Sequence, residues 1–193
     1  MWPRLVPVGP LQLVMLISMV TGAPLDVHCP SNCTTALQSA LFSDAAHVRV
    51  HPPQGGGSAT VGSPHHSTRI LANGTDMVVE FMPGLELTGY LNDTFYPETG
   101  KDAKHGYSPQ LVTLEIQGSN LTLRGKDTVL RHITSYAGKP GENVRVEGLQ
   151  FIDPGWDGMY IRGIVGLTLK DCVFVSTASP LTCWCMALLA RLT

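Results

Sequence analysis

The sequence has no excess of basic residues, because 13 Lys and Arg stand against 15 Asp and Glu in a chain of 193 residues. Proteins that bind nucleic acids usually carry a basic excess, so the composition argues against a nucleic-acid partner. Aromatic residues are also scarce, at 7%. Glycine and proline are plentiful, with 20 and 14 residues. This composition favours strands and turns over a helical bundle.

A second absence is a hydrophobic run long enough to cross a bilayer. The run LQLVMLISMV at 11–20 has ten residues, whereas a spanning helix needs about 20. Arg4 precedes this run and the small residues TGA follow it, which is the layout of a secretory signal peptide. We therefore predict a signal peptide at 1–23, secretion to the extracellular space and no membrane span. A buried hydrophobic segment is the alternative.

Asparagine is also scarce, with five residues in the chain. Four of them begin Asn-X-Ser/Thr sequons without proline at X, namely NCT, NGT, NDT and NLT. Such sequons accept N-linked glycans in secreted proteins. We predict N-glycosylation at Asn32, Asn73, Asn92 and Asn120.

Cysteine occurs five times, and an odd count leaves at least one thiol free or intermolecular. Cys29 and Cys33 are close enough in sequence to bridge a small loop. An oxidising compartment favours a disulfide between them over a metal site. We predict this disulfide and no metal site, and leave open the state of Cys172, Cys183 and Cys185.

An amphipathic helix is predicted near the start of the mature chain. Thr35 and Gln38 have the spacing of a capping box, and apolar residues at helical spacing follow them. We predict a helix from about Ala36 to Ser43. Farther along, the polar and turn-rich stretch at 90–110 is predicted to be a long loop.

A short strand pattern then recurs at a constant interval. NLTLRG begins at Asn120, NVRVEG at Asn143 and GLTLKD at Gly166, so that 143 − 120 and 166 − 143 are both 23. Three sets of apolar residues align between the copies: Leu121, Val144 and Leu167; Leu123, Val146 and Leu169; Val129, Ile152 and Val175. A preceding strand fits the same frame, beginning at Leu111 and, two periods later, at Asp157, while the copy between them, TSYAGKP, fits poorly.

The repeat predicts parallel stacking. A unit this short cannot bury its apolar side alone, but parallel copies about 4.8 Å apart can. Arg124, Glu147 and Lys170 align on the outer side, so opposite charges become neighbours. We predict an all-β fold, a parallel β-helix with about three clear repeats. The alternative is an antiparallel sandwich with accidental spacing.

Asn120 and Asn143 occupy the same turn of successive copies. Their side chains are expected to stack as an amide ladder, which competes with the glycan predicted at Asn120.

The segments NLTLRG, NVRVEGLQFI, DGMYIRG and GLTLKDCVFV resemble the right-handed parallel β-helix superfamily, which includes pectate lyases, polygalacturonases and alginate-acting enzymes. The resemblance covers about 35–178 and is strongest over 111–175. It implies a right-handed coil, an N-terminal helix that caps the open end, and a sugar-binding groove on the outer face of the strands. The Gly-His-Gly of polygalacturonases is absent, and the calcium cluster of pectate lyases is not recognisable.

Candidate site residues follow from this resemblance, since family enzymes use acidic residues, often with calcium, and a basic proton acceptor. The candidates for catalysis are Asp153, Asp157 and Arg162, and the candidates for sugar contact are Trp156 and Arg145. Paired carboxylates could act as acid and base or hold a hard cation. No cofactor is predicted, although the family pattern allows Ca²⁺. DG before alternating apolar residues is more typical of an ordinary turn that leads into a strand, so a structural role is favoured over catalysis for Asp157.

The chain is thus predicted to have four segments: a signal peptide at 1–23, a cap helix with irregular strands at 24–110, regular repeats at 111–179, and an atypical tail at 180–193. The tail has no place in the repeat, which suggests a truncated product or a closing segment.

We expect a secreted β-helix glycoprotein that binds polysaccharide or is related to polysaccharide-processing enzymes. If it is active, we expect a polysaccharide lyase or a glycoside hydrolase. One form of this hypothesis places the active site in the 90–110 loop. The alternatives are a non-catalytic extracellular structural or interaction module and an inactive fragment of a longer protein.

Overall fold

A computed structural model describes residues 22–66, 68–90, 112–138, 140–154 and 159–175, together with the backbone of 185–186 and 190–192. These residues form one helix, α1 (Thr34–Leu41), and fifteen strands. The strands are β1 (Leu25–His28), β2 (His47–His51), β3 (Ser58–Val61), β4 (Thr68–Ala72), β5 (Val78–Phe81), β6 (Glu86–Gly89), β7 (Val112–Ile116), β8 (Thr122–Arg131), β9 (Thr134–Gly138), β10 (Arg145–Ile152), β11 (Met159–Arg162), β12 (Leu167–Lys170), β13 (Val173–Val175), β14 (Cys185–Met186) and β15 (Ala190–Leu192).

The fold is all-β and consists of two parallel sheets. Sheet A has the order β1-β2-β5-β8-β10-β12-β15, with β3, β6 and β13 attached beside it, and sheet B has the order β14-β11-β9-β7-β4. Every strand pairing in the described residues is parallel. Because the chain alternates between the two sheets, each strand lies beside its equivalent from the previous repeat. An antiparallel sandwich is therefore wrong.

The 23-residue period is confirmed in sheet A. Val146 pairs with Leu123 on one side and Leu169 on the other, and 146 − 123 and 169 − 146 are both 23. The same row continues upstream through Val79 and Val48, at longer steps of 123 − 79 = 44 and 79 − 48 = 31. All five side chains are buried. The parallel stack therefore extends upstream to β1, and its buried row to Val48 of β2, well before residue 111.

Strand β8 contains an insertion that the sequence alignment missed. Glu147 pairs with Arg124, but Leu149 pairs with Thr128, so three residues of β8 face Gly148 alone and form a bulge. Beyond the bulge, Val129 pairs with Gln150. The predicted alignment of Val129 with Ile152 is therefore wrong, whereas that of Ile152 with Val175 is confirmed.

The predicted alignment in sheet B is wrong by one residue. Leu114 pairs with Ser135 and Ser135 with Met159, which gives 159 − 114 = 45 instead of two periods, or 46. A shift of one residue exchanges the inner and outer faces of a strand. The poor middle copy is a true strand, β9, whose inward positions are the buried Ser135 and Ala137.

The described part of the tail continues the sheets. Leu167 pairs with Ala190 in sheet A, which repeats the step because 190 − 167 is 23. In sheet B, Ile161 pairs with Cys185. The expectation that 180–193 has no place in the repeat is therefore wrong for these two strands.

Helix α1 covers one end of the interior between the sheets. Its Leu37, Ala40 and Leu41 are buried, and Leu37 and Leu41 line a small apolar void together with residues of both sheets. The capping box is not formed, because the N-cap residue makes no side-chain hydrogen bond. Asn32 Oδ1 instead accepts a hydrogen bond from the Thr34 N–H, at 3.1 Å.

Gln38 binds the backbone of β4, the edge strand of sheet B in the described residues. Its Nε2 donates to the Leu71 carbonyl at 3.2 Å, and its Oε1 accepts from the Leu71 N–H at 3.0 Å. One side-chain amide therefore satisfies both backbone groups of an edge residue, which protects this edge from pairing with another chain.

The predicted disulfide between Cys29 and Cys33 is present and joins the end of β1 to the start of α1. Cys172 is a half-buried free thiol whose Sγ donates to the Val146 carbonyl at 3.5 Å. Burial raises the pKa of this thiol, so the neutral form is favoured.

The asparagine ladder is formed at one corner between the sheets. Asn143 Nδ2 donates to Asn120 Oδ1 at 3.1 Å, and Asn120 Nδ2 donates to Asp76 Oδ1 at 2.8 Å. The three residues share a positive φ of 50–53°, and Gly166 occupies the same place in the next repeat. Asn and Asp tolerate this conformation better than most residues, so the ladder stabilises a strained corner. The side chain of Asn120 is nevertheless exposed.

Candidate functional site

A row of charged side chains crosses the outer face of sheet A. The register places Arg49, Glu80, Arg124, Glu147 and Lys170 on successive strands. The predicted alignment of the last three is confirmed. Neighbouring strands are about 4.8 Å apart, so the charges of the row alternate in sign at close range.

Glu80 is the most connected acid of the row. Its carboxylate lies 3.0 Å from Arg124, 3.1 Å from His47 and 3.8 Å from Arg49. These ion pairs are partly exposed, so each contributes only about 1 kcal/mol or less to stability. Their greater effect is to orient the side chains across three strands.

Glu147 is held by Arg145 on the same strand, with Nη2 donating to Oε1 at 2.5 Å. This hydrogen bond lowers the pKa of Glu147, helped by the positive charges of Arg145, Lys170 and Arg124. The same bond raises the pKa of Arg145. Glu147 is therefore a carboxylate at neutral pH and can accept hydrogen bonds from hydroxyl groups.

A cleft of about 660 Å³ opens beside this row. It lies where the strands of sheet A are interrupted: between β5 and β6, at the β8 bulge, at Gly148, and between β12 and β13. Gly148 has a φ of +65°, and a Cβ at this position would lie 2.2 Å from the Gly125 carbonyl oxygen. Only glycine fits this close approach. The lining residues are Glu80, Phe81, Met82, Pro83, Arg124, Gly125, Lys126, Asp127, Glu147, Gly148, Gln150, Asp171 and Val173.

The cleft carries more negative than positive charge. Four carboxylates line it against two cations, Arg124 and Lys126, and Lys170 lies 3.8 Å from the Asp171 carboxylate. It crosses four strands, so it spans about 14 Å from three interstrand spacings. Such a surface suits a hydroxyl-rich ligand that donates hydrogen bonds. Among the described side chains, no group of three or more His, Cys, Asp or Glu is arranged to hold a metal ion.

The structure separates the residues proposed for sugar contact and catalysis. Arg145 lies on β10 beside the cleft, paired with Glu147. Arg162 is exposed on β11, in sheet B. Asp153 follows the end of β10 and does not line the cleft. Trp156 and Asp157 lie outside the described residues, as does the stretch 91–111.

Asp153 lies at the other corner of the repeat, near His132. Its N–H donates to the Val175 carbonyl at 2.7 Å, and its φ is +45°. Burial lowers the pKa of His132, and the negative charge of Asp153 partly offsets this effect. These contacts make Asp153 part of a tight turn between the sheets.

Three of the predicted glycosylation sites have exposed side chains: Asn32, Asn73 and Asn120. Asn32 Nδ2 donates to the Gly62 carbonyl at 3.1 Å. Asn92 lies outside the described residues.

Sequence reasoning missed the upstream part of the cleft. Glu80 precedes Arg124 by a longer step, 124 − 80 = 44, so no search at the shorter period aligns them. The available signal was the alternation of VVEF, in which buried Val79 and Phe81 flank an outward Glu80. Lys126 and Asp127 were missed because they are the insertion of the β8 bulge.

Within the described residues, no helix is long and apolar enough to cross a membrane. In comparisons with known proteins, no family model, no curated protein and no solved structure matches this chain.

Proposed function

We propose that this chain is a secreted right-handed parallel β-helix glycoprotein, related to the pectate lyase-like superfamily, which binds an extracellular polysaccharide in the cleft of sheet A. The carrying observation is the cleft itself, lined by oriented carboxylates and cations across four parallel strands. The aligned 23-residue steps support the coil. Crossover connections between parallel strands of one sheet are right-handed in about 98% of cases, which supports the hand.

The bound polysaccharide is proposed to be neutral. The four carboxylates of the cleft repel a polyuronate such as pectate or alginate, whereas the hydroxyl groups of a neutral glycan can donate to them. This preference differs from that of the enzymes which the sequence resembles.

The proposed role is binding without catalysis. A general acid needs a pKa near the working pH, but the hydrogen bond from Arg145 lowers the pKa of Glu147. No lyase or hydrolase activity is therefore expected from this acid.

The test is equilibrium binding by the secreted, purified chain to a panel of polysaccharides. We expect a neutral glucan, galactan or mannan to bind, and polygalacturonate and alginate to bind more weakly. Glu147→Gln should weaken binding by about tenfold or more, because a hydrogen bond to a charged group contributes about 1.5–3 kcal/mol. Glu115→Gln is the matched control, since Glu115 forms an ion pair with Arg69 on sheet B. Equal loss in both variants, or no binding across the panel, would contradict the proposal.

The ion pairs of the charged row favour a second candidate, a non-catalytic structural or interaction module. Glu80 already has three cationic or histidine partners, as expected for a row that stabilises the stack. A cooperative β-rich melt of the purified chain, together with no affinity for any glycan, would favour this candidate. An aggregated product would favour a fragment of a longer protein.

A further inference from the structure

Phe42 is a large apolar side chain left in solvent at the end of α1. It is the C-cap residue of the helix, and it is 57% exposed, the most exposed of the large hydrophobic residues with described surroundings. Its neighbour Ser43 holds the helix end, with Oγ donating to the Ala40 carbonyl at 2.7 Å. The aromatic ring is therefore presented from an ordered position.

A glycosylation sequon lies beside this ring. Asn73 and Thr75, the first and third residues of the sequon NGT, line a cleft of about 360 Å³ together with Phe42. This cleft is distinct from the one on sheet A, with which it shares no residue. The other lining residues are Leu41, Ser43, Asp44, Ala45, Gly74 and Met77.

The chemistry of the cleft suits a sugar ring. Phe42 supplies an apolar face, and a sugar presents a face of C–H groups that can pack against an aromatic ring. Ser43 and Asp44 supply oxygen acceptors for hydroxyl groups. The sequon supplies the ligand. A glycan on Asn73 is covalently attached at the wall of the cleft, so its packing costs none of the translational entropy that a separate ligand loses on binding.

We propose that Phe42 is the packing site for the first sugar of an N-linked glycan on Asn73. This inference rests on the secretory route in the proposed function, but it does not depend on polysaccharide binding. The other exposed sequon asparagines are held differently: Nδ2 of Asn32 and of Asn120 donates to a neighbouring residue of the fold. The Asn73 glycan therefore covers apolar surface that would otherwise stay in water.

The experiment is a double-mutant cycle on protein secreted from glycosylating eukaryotic cells. Phe42→Ala should lower the midpoint of thermal unfolding by about 2–4 °C when Asn73 carries its glycan. In an Asn73→Gln background the same substitution should have little effect, because no sugar then packs against the ring. An Asn32→Gln background is the control and should leave the full effect of Phe42→Ala.

Two further measurements test whether the ring of Phe42 packs against the glycan. Phe42→Leu retains an apolar side chain without a ring, and it should reproduce most of the loss. Enzymatic release of the Asn73 glycan from the folded protein should be several-fold faster in Phe42→Ala than in wild type.

Equal thermal shifts in the wild-type and Asn73→Gln backgrounds would overturn the proposal. An intact mass that shows no glycan on Asn73 would overturn it too. Polysaccharide binding is measured separately, so a failure there leaves this result unaffected.

Discussion

The two halves of sheet A differ in period but share the same parallel pairing of a buried inward row. From β8 to β12 the inward row runs through Leu123, Val146 and Leu169 at a constant step, since 146 − 123 and 169 − 146 are both 23. From β2 to β8 it runs through Val48 and Val79 at longer steps, 79 − 48 = 31 and 123 − 79 = 44. The strands in both halves are parallel and in register, and their inward side chains are equally buried.

The comparison shows that pairing is set by the buried positions of the strands rather than by the distance between them in sequence. In the described residues of the upstream half, the extra residues of the β2–β5 step lie between strands, at 52–57 and 62–66. Each doubling of a flexible connection costs only about 0.6 kcal/mol in closure entropy. Burial of one Val or Leu side chain contributes about 1.5–3 kcal/mol, so insertions are tolerated wherever the strand pattern survives.

The largest expected effect comes from removing one buried aromatic ring from the core of each half. Phe151→Ala should lower the free energy of unfolding by about 3–5 kcal/mol, because the ring is fully buried and stacks on Phe174 at 4.8 Å between centroids. Phe81→Ala should have a similar effect in the upstream half, where the ring is 3% exposed. Urea unfolding measures both. Val165→Ala, at a 55% exposed position, is the control and should change stability by about 0.5 kcal/mol or less. A much smaller loss for Phe81→Ala would show that the upstream half is less tightly packed.

A smaller effect should separate two glycines of positive φ. At Gly84 a Cβ meets no atom within 4 Å, so Gly84→Ala should destabilise by about 1–2 kcal/mol through backbone strain alone. Gly148→Ala adds a clash with the Gly125 carbonyl and should destabilise clearly more. Thermal unfolding of the two variants tests this order, and equal losses would show that the bulge can relax.

The smallest expected effect is the pH dependence of Glu147. Its folded pKa is lowered from the ordinary value of 4.5, so its contribution to stability is fully present above that value and is lost as pH falls through the folded pKa. Unfolding of wild type and Glu147→Gln should therefore differ most at neutral pH and converge in acid. The Glu115→Gln variant serves as the comparison on sheet B. A difference between wild type and Glu147→Gln that stays constant down to acid pH would contradict the assigned ion pair.

Sequence alone predicted the features that follow from alternation and a constant step. The inward row and the charged row from β8 to β12 are both correct. The errors occur where the step changes. Two extra residues in β8 change the partner of Val129, and the pairing between β7 and β11 in sheet B differs by one residue from the predicted alignment. There the inward Ser135 and Ala137 are too small and too weakly apolar to mark the face of β9.

The candidate cleft was less predictable than the fold. Two of its lining residues, Arg124 and Glu147, belong to the predicted charged row. The β8 bulge and Glu80, which comes from an earlier repeat at a longer step, have no signal at the 23-residue period. Arg145 was the only residue proposed for sugar contact or catalysis that lies beside the cleft among the described residues, and it was proposed from the family resemblance as a basic residue.

The hydrogen bonds between Gln38 and Leu71 bear on the order of events during synthesis on the ribosome. Helix α1 is complete at Leu41, but the backbone partner of its amide is translated only with β4. Until β4 has emerged, the apolar face of the helix has no sheet B to cover and Gln38 has no strand edge to bind. Closure of this end of the molecule therefore waits for a later segment of the nascent chain, whereas each downstream repeat can dock on a surface that is already in place.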